Sequence, residues 1–344
     1  MPGMMGLLLN NLAFRGAQGA SGPIEYVNDS PTAITPTLGE ELLLNPGFET
    51  WTDATTAASW GRDDVIDFAQ ESEDVHSGSY AARFDRVPER TGSHYIKQSG
   101  AAQMPAGKWG RTAVWAKASR TLLLSGSMAL RRVDHQYKEL ESLITTEYQL
   151  FDTVARAVSS LSFILATGIG SQHSPFSGYY DDASLKELVN IFVAERAGVP
   201  VRSWGYNHWH VVAERHAGGY LKLGDGDYIY WYVDRNYNRV YLVKVVAGVT
   251  TEVAYASITY SDDKAIWWRS EAANTWLVGY DTPANIDAYG EADWTTNALI
   301  SVDTVTDAVL NLAGYDYEFG AFSTDAGNTP QKHRYSSNFT LPPE

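Results

Sequence analysis

One stretch constrains the fold of this chain more than any other. It reads Gly226-Asp-Tyr-Ile-Tyr-Trp-Tyr-Val-Asp-Arg-Asn-Tyr-Asn-Arg-Val-Tyr-Leu-Val-Lys-Val-Val-Ala-Gly248. A strand alternates its side chains between two faces. Tyr228, Tyr230 and Tyr232 therefore share one face, and Ile229, Trp231 and Val233 the other. Asn236-Tyr-Asn238 is a turn, Val240 to Val246 a returning strand, and Ala247-Gly248 a second turn before Val249 to Val253. This pattern is a hairpin meander.

The same texture begins at Glu41. Tyr80 to Phe84, Thr112 to Ala116, Thr121 to Leu124 and Ser162 to Leu165 are short apolar stretches. Turn clusters such as His76-Ser-Gly-Ser79 and Pro105-Ala-Gly-Lys108 separate them. No long segment has a helical period. Lys138 to Leu150 comes nearest, and Thr145-Thr146 weakens it. Thr304 to Leu312 fits a short helix or a strand. The expected fold class is all-β, with two tandem antiparallel β-sandwich (jelly-roll) domains and an extended N-terminal arm. The 344 residues leave room for two domains that each bury a core. The expected boundaries are an arm over 1–39, a first sandwich over 40–188, a connection with an extra strand over 189–203, and a second sandwich over 204–344.

Charge removes several function classes. The net charge is −15 and no Lys/Arg cluster exists, so nucleic acid and anionic membranes are poor partners. Absence of cysteine excludes disulfides, thiolate metal sites and thiol nucleophiles. No apolar run approaches the ~20 residues that span a bilayer, so no membrane insertion is expected. The start lacks a basic residue before Arg15, unlike a secretory signal.

Two resemblances follow from the motifs. Glu41-Leu-Leu-Leu-Asn-Pro-Gly-Phe-Glu49 is followed by Trp51 and Trp60, then His76 to Phe84, Gly110 to Lys117, and Gly178-Tyr-Tyr-Asp-Asp-Ala-Ser-Leu-Lys186. In this order they resemble the carbohydrate-binding modules of the galactose-binding-like superfamily found beside xylanases and glucanases. That resemblance implies a structural Ca²⁺ ion (Ca2+) near Glu49, Asp182 and the Ser77 turn, because carboxylates and carbonyls are hard oxygen ligands. Residues from Trp204 to Asn328 are similar to concanavalin A-like lectin/glucanase sandwiches, through the meander and Phe319-Gly-Ala-Phe-Ser-Thr-Asp-Ala-Gly327. The tandem resembles phage virion proteins of tail, fibre and capsid-decoration type.

Catalysis is not expected. Laminarinase-like members of the lectin/glucanase class use Glu-x-Asp-x-x-Glu on one strand. The nearest match, Glu291-Ala-Asp-Trp-Thr-Thr296, ends on Thr296. His208 and His210 share a strand face without an evident third ligand, and Asp225-Gly-Asp227 reads as a turn. Sugar stacking needs exposed aromatics beside polar groups. Trp60, Tyr95 and Tyr137 are candidates in the first domain, and Tyr206, Trp267 and Trp268 in the second.

The expected function is a non-catalytic virion structural, decoration or adhesion protein, displayed on the particle surface. It would meet host-surface or environmental glycans and form a homo-oligomer. Residues 1–37 hold Leu7-Leu-Leu9, Leu12 and Phe14 among Gly and Asn, which suggests an anchor onto other virion proteins. On that view, deleting 1–37 leaves both sandwiches folded with unchanged melting. The alternatives are a free or secreted polysaccharide-binding protein and a laminarinase-like glycoside hydrolase.

Overall fold

The strand Tyr228–Asp234 is buried on both faces. Ile229, Trp231 and Val233 enter one core, while Tyr230 and Tyr232 enter another with Tyr228 packed beside them. A strand with two apolar faces belongs in the middle of a stack of layers. The structure, a computed structural model, describes residues 25–62, 67–86, 94–120, 128–131, 137–139, 144–157, 161–167, 176–199, 203–222, 227–271, 275–303 and 317–336.

Among the described residues, four large antiparallel sheets stack in order. The outer sheet of the first sandwich runs Tyr137–Glu139, Met128–Arg131, Leu161–Thr167, His94–Met104, Gly61–Arg62. The inner sheet of the first sandwich runs Gln149–Arg156, Trp109–Ala118, Phe176–Val189, Ala81–Arg86, Asp67–Glu71, with Thr37–Glu41 also paired to Phe176–Val189. Phe48, Trp60, Phe84, Val114, Phe163 and Leu165 fill the core between these two sheets.

The inner sheet of the second sandwich runs Phe192–Val199, Tyr317–Ser323, His216–Lys222, Tyr228–Asp234, Arg239–Val246, Val249–Ser257. Its outer sheet runs Glu25–Asn28, Thr329–Ser336, Ser203–His210, Ala265–Glu271, Thr275–Asp281, Ile300–Asp303. Between them lie Trp231, Trp268, Trp276, Phe319 and Tyr335. The meander matches the sequence reading. Ala247 and Gly248 both take positive φ, 49° and 78°, as a two-residue hairpin turn requires.

The two inner sheets pack on each other. Trp109, Val154 and Leu188 of the first meet Tyr220, Tyr230, Tyr232, Tyr241 and Phe322 of the second. Ion pairs flank this contact. The Arg215 guanidinium lies 2.9 Å from Asp152 and 2.7 Å from Asp325, and Arg111 reaches Asp152 at 2.7 Å. Arg156 faces Glu252 at 3.5 Å. Gly107, at φ 85°, abuts Thr250 so closely that a Cβ would collide with the threonine side chain.

Two short helices among the described residues cover the far side of the stack. In α1 (Pro283–Asp287), Thr282 caps the start, its hydroxyl accepting the Asn285 N–H at 3.2 Å, and Pro283 suits the first turn. In α2 (Glu291–Thr296), Asp293 accepts the Gly290 N–H at 2.8 Å. Ile286, Tyr289 and Trp294 pack from this segment onto Trp204, Tyr206 and Trp267 of the outer sheet. No helix among the described residues is long and apolar enough to cross a membrane.

As expected, Lys138 to Leu150 holds no long helix among the described residues, since strands occupy Tyr137–Glu139 and Gln149–Arg156. Two expectations need revision. The connection over 189–203 carries the strand Phe192–Val199, an edge of the second sandwich, so the chain crosses between domains at Asn190-Ile191. The arm is not free over its last third. Glu25–Asn28 pairs with Thr329–Ser336, Tyr26 packs edge-on against Phe319, and Ile34 is buried beside Trp209. Isolated apolar residues in a polar stretch found places on the chain's own sheets. Residues 1–24, 121–124 and 304–312 lie outside the described residues.

Candidate functional site

The outer sheet of the first sandwich turns one face to the core and one outward. Ile96, Met128, Leu130, Phe163 and Leu165 point inward. Alternation sends Tyr95, Lys97, Ala129, Arg131 and Ile164 outward. Tyr95 is half-buried and packs on Ala129 and Ile164, with the Lys97 ammonium 5.3 Å from its ring centroid. Cross-strand register aligns Tyr95, position 166, Ala129 and position 139 in one row. A second row holds Lys97 and Ile164, and position 137 lies opposite Arg131. Tyr95 and position 137 therefore share the outward face, although the Tyr137 side chain lies outside the described residues. An aromatic ring with a cation beside it can stack on the C–H face of a pyranose while the charged group meets its hydroxyls.

Four of the six sequence-derived sugar candidates do not fit. Trp60 is buried in the first core, stacked 4.6 Å from Phe48, and donates to the Asn45 carbonyl at 3.0 Å. Tyr206 and Trp267 are fully buried under α1 and α2, and Trp268 lies in the second core between Trp231 and Trp276. Each is a large apolar ring whose burial stabilises by about 1.5–3 kcal/mol, and none presents a face to a ligand.

The opening motif forms a tight knot. Asn45 and Phe48 take φ of 51° and 56°. The Asn45 side chain donates to the Thr50 and Ala58 carbonyls and accepts from the Thr50 N–H. Glu49 then accepts the Ser79 and Tyr80 N–H groups at 3.0 and 3.3 Å. Ser77 donates its N–H to Asp181 at 3.1 Å. Asp182, at φ 44° in an irregularity of its strand, turns its carboxylate to His76 Nδ1 at 2.7 Å. Burial pushes the Asp181 carboxyl up to about 6, with the adjacent Asp182 charge adding to the rise and backbone N–H donors from His76, Ser77 and Asp182 opposing it.

Glu49 and Asp182 both border Gly47. A Cβ there would lie 3.3 Å from Asp182 Oδ1 and 3.8 Å from Glu49 Cγ. His76, Asp181 and Asp182 place potential ligand atoms within 4.8 Å of one another, the only such group found among the described residues. Glu49 is not in that group, since its two oxygens already accept the Ser79 and Tyr80 N–H groups, and the imidazole that joins the two aspartates is a softer donor than calcium alone calls for. Sequence reading named Glu49, Asp182 and Ser77 but missed His76 and Asp181. The Asp181-Asp182 doublet and the histidine opening its own turn were the available signals.

The other motifs have local roles. Glu291 and Asp293 lie on α2 rather than on a strand, where Glu291 accepts from the buried Arg269 at 2.5 Å and Asp293 caps the helix. His208 and His210 both reach Asp262, through its carbonyl and its carboxylate at 2.9 Å each. Asp227 accepts the Ala247 N–H at 2.7 Å, bracing the hairpin, and Asp225 lies outside the described residues.

No protein-family model matches the chain, and no curated protein matches it. Among solved structures it is similar to the CBM22-1 xylan-binding domain from Paenibacillus barcinonensis Xyn10C, at 8% identity and TM-score 0.28, covering 45% of this chain and 97% of that one. It is similar to the N-terminal CBM22-1-CBM22-2 tandem domain of the same protein, at 8% identity and TM-score 0.31, covering 89% and 99%. It is also similar to carbohydrate-binding module CBM66 from Bacillus subtilis, at 8% identity and TM-score 0.20, covering 84% and 96%.

Proposed function

We propose that the chain is a non-catalytic polysaccharide-binding protein that holds its glycan on the outward face of the first sandwich's outer sheet. One observation carries the reading. Among the described residues, every other large sheet packs its outward side, wholly or in part, on another sheet or on α1 and α2, while this face presents Tyr95, Lys97 and Arg131. The test is affinity electrophoresis of the full chain through gels containing xylan, mixed-linkage β-glucan or galactomannan. Retardation by at least one of them, weakened in Tyr95→Ala with unchanged melting, is the expected result. Equal mobility of both proteins in every gel counts against it.

The finer reading is display on a phage particle through the N-terminal arm, narrowed from residues 1–37 to 1–24 because Glu25–Asn28 and Ile34 pack on the chain's own second sandwich. It is supported by the position of Glu25–Asn28, at the edge of the second sandwich's outer sheet. The sheet order separates that edge from the glycan face by two intervening sheets. Deleting 1–24 should then abolish particle incorporation while glycan retardation persists.

A structural Ca²⁺ held by Glu49, Asp182 and the Ser77 turn is the third element. The Gly47 cradle supports it. A bound ion stabilises the state that binds it, so EDTA should lower the melting temperature of the wild type and not of Asp182→Ala.

A further inference from the structure

The inner sheet of the first sandwich is only half covered by the second sandwich. Along Trp109–Ala118, Trp109 is buried between the sandwiches and Arg111 joins the ion pairs at their margin. Beyond that margin the same outward face continues with Trp115 and Lys117. Register brings Leu150 and Asp181 beside Trp115, Tyr179 beside Lys117, and Arg83 beside Tyr179. Trp115, Tyr148 and Tyr179 are half-buried, and Leu150 is 45% exposed.

This face is pre-ordered. His76 stacks on Trp115 with centroids 3.8 Å apart at 15° and meets Tyr148 edge-on at 5.6 Å. Lys117 lies between the Tyr148 and Tyr179 rings, 5.0 and 5.1 Å from their centroids, and is tied to Asp74. Arg83 binds Asp85 in a two-point pair, and Ser177 donates to Asp85 at 2.5 Å.

We infer that this uncovered half is a second binding face, and that its occupant is a neutral glycan chain. Charge narrows the class and the ring surface decides it. Lys117 is offset by Asp74, Arg83 by Asp85 and Glu71, and His76 lies against Asp182. The carboxylates outnumber the two cations, which turns an anionic partner away, and those nearest the rings are already engaged by Lys117, Arg83 and His76. It offers aromatic rings, one exposed leucine, and hydroxyl, carboxylate and guanidinium groups at its rim, which complement a polyhydroxylated chain with apolar ring faces. The inference rests on the reading that the chain binds polysaccharide, and adds an independent site. The two faces lie on opposite sides of one sandwich, so a single molecule can join two glycan chains.

The experiment uses the full chain with soluble xylan, mixed-linkage β-glucan and galactomannan, read by affinity electrophoresis and by turbidity. Tyr179→Ala removes a ring, and Leu150→Glu places a charge on an exposed position without touching the core. Each should weaken retardation by about tenfold, the equivalent of about 1.4 kcal/mol, and should abolish turbidity while Tyr95 still supports residual binding. Tyr95→Ala should likewise end turbidity and leave residual binding, and the Tyr95→Ala/Leu150→Glu pair should lose both. If Leu150→Glu and Tyr179→Ala match wild type in both readouts, the second face is wrong even where Tyr95→Ala confirms the first. If Leu150→Glu instead breaks a dimer seen in sedimentation and leaves glycan binding intact, the occupant is a second copy and the inference is overturned. Loss of binding only in the Leu150 and Tyr179 variants would uphold this face and sink the first one.

Discussion

Trp109, on the first sandwich, meets Tyr232 of the second edge-on, with ring centroids 5.3 Å apart at 78°. The same indole lies 4.7 Å from His216 and 5.2 Å from Phe322. One residue of the first domain is thus seated in an aromatic socket of the second, and the two cores are joined by a third.

Trp109→Ala should therefore cost about 3–5 kcal/mol, as for large aromatics removed from a core. Urea unfolding followed by far-UV circular dichroism checks it. The wild type should unfold in one transition and the variant in two, because the lost contact is what couples the domains. A single, unshifted transition in the variant would show that the contact is idle.

The margin of that contact should weaken in acid. Burial raises the Asp152 carboxyl, but the Arg215 and Arg111 guanidiniums outweigh it and hold the group below its ordinary 3.8. A carboxyl depressed in the folded state adds stability above its unfolded value and loses it as pH falls through the folded one. Stability of the wild type should then drop below about pH 4, and Asp152→Asn should flatten that part of the profile while lowering stability at pH 7. Parallel profiles for the two proteins would remove Asp152 from the account.

Truncation isolates the contribution of the strand Glu25–Asn28. Removing residues 1–24 should leave melting unchanged. Removing 1–30 also strips the strand Glu25–Asn28 and the Tyr26 contact with Phe319, and should cost about 2 kcal/mol from lost apolar burial. Thermal melting of the two truncations decides it, and equal values would show that the strand contributes nothing.

The meander was legible because alternation and turn residues are local signals, and Tyr228 to Val246 obeys both. What alternation cannot say is which partner covers each face. Tyr230 and Tyr232 look the same in sequence whether they meet solvent, sugar or another sheet, and here they meet Trp109 from more than a hundred positions away. The same limit misassigned Tyr206 and Trp267, which are hidden only because α1 and α2 fold over them. Those helices escaped notice because five or six residues are too few to establish a period of 3.6, although Thr282-Pro283 marked a start. The knot at Asn45 to Glu49 was recognised as a motif, while its reason, positive φ at Asn45 and Phe48, needs coordinates.

That knot should be sensitive. Asn45→Ala removes three side-chain hydrogen bonds and leaves φ of 51° to a residue that disfavours it. The expected loss is about 2 kcal/mol or more, measured by thermal unfolding, whereas Asn45→Gly should restore the backbone share of it. Equal losses for both variants would place the whole effect in the side-chain bonds.

The most direct test of the glycan-binding reading is methyl NMR of the full chain with labelled Ala and Ile, titrated with xylo- and gluco-oligosaccharides. Ala129 and Ile164 pack against Tyr95, so a sugar stacking there should shift both methyls through the altered ring position, with Ile286 of α1 unmoved. Shifts at Ile286 with Ala129 and Ile164 silent, or no shifts with any sugar, would contradict the account.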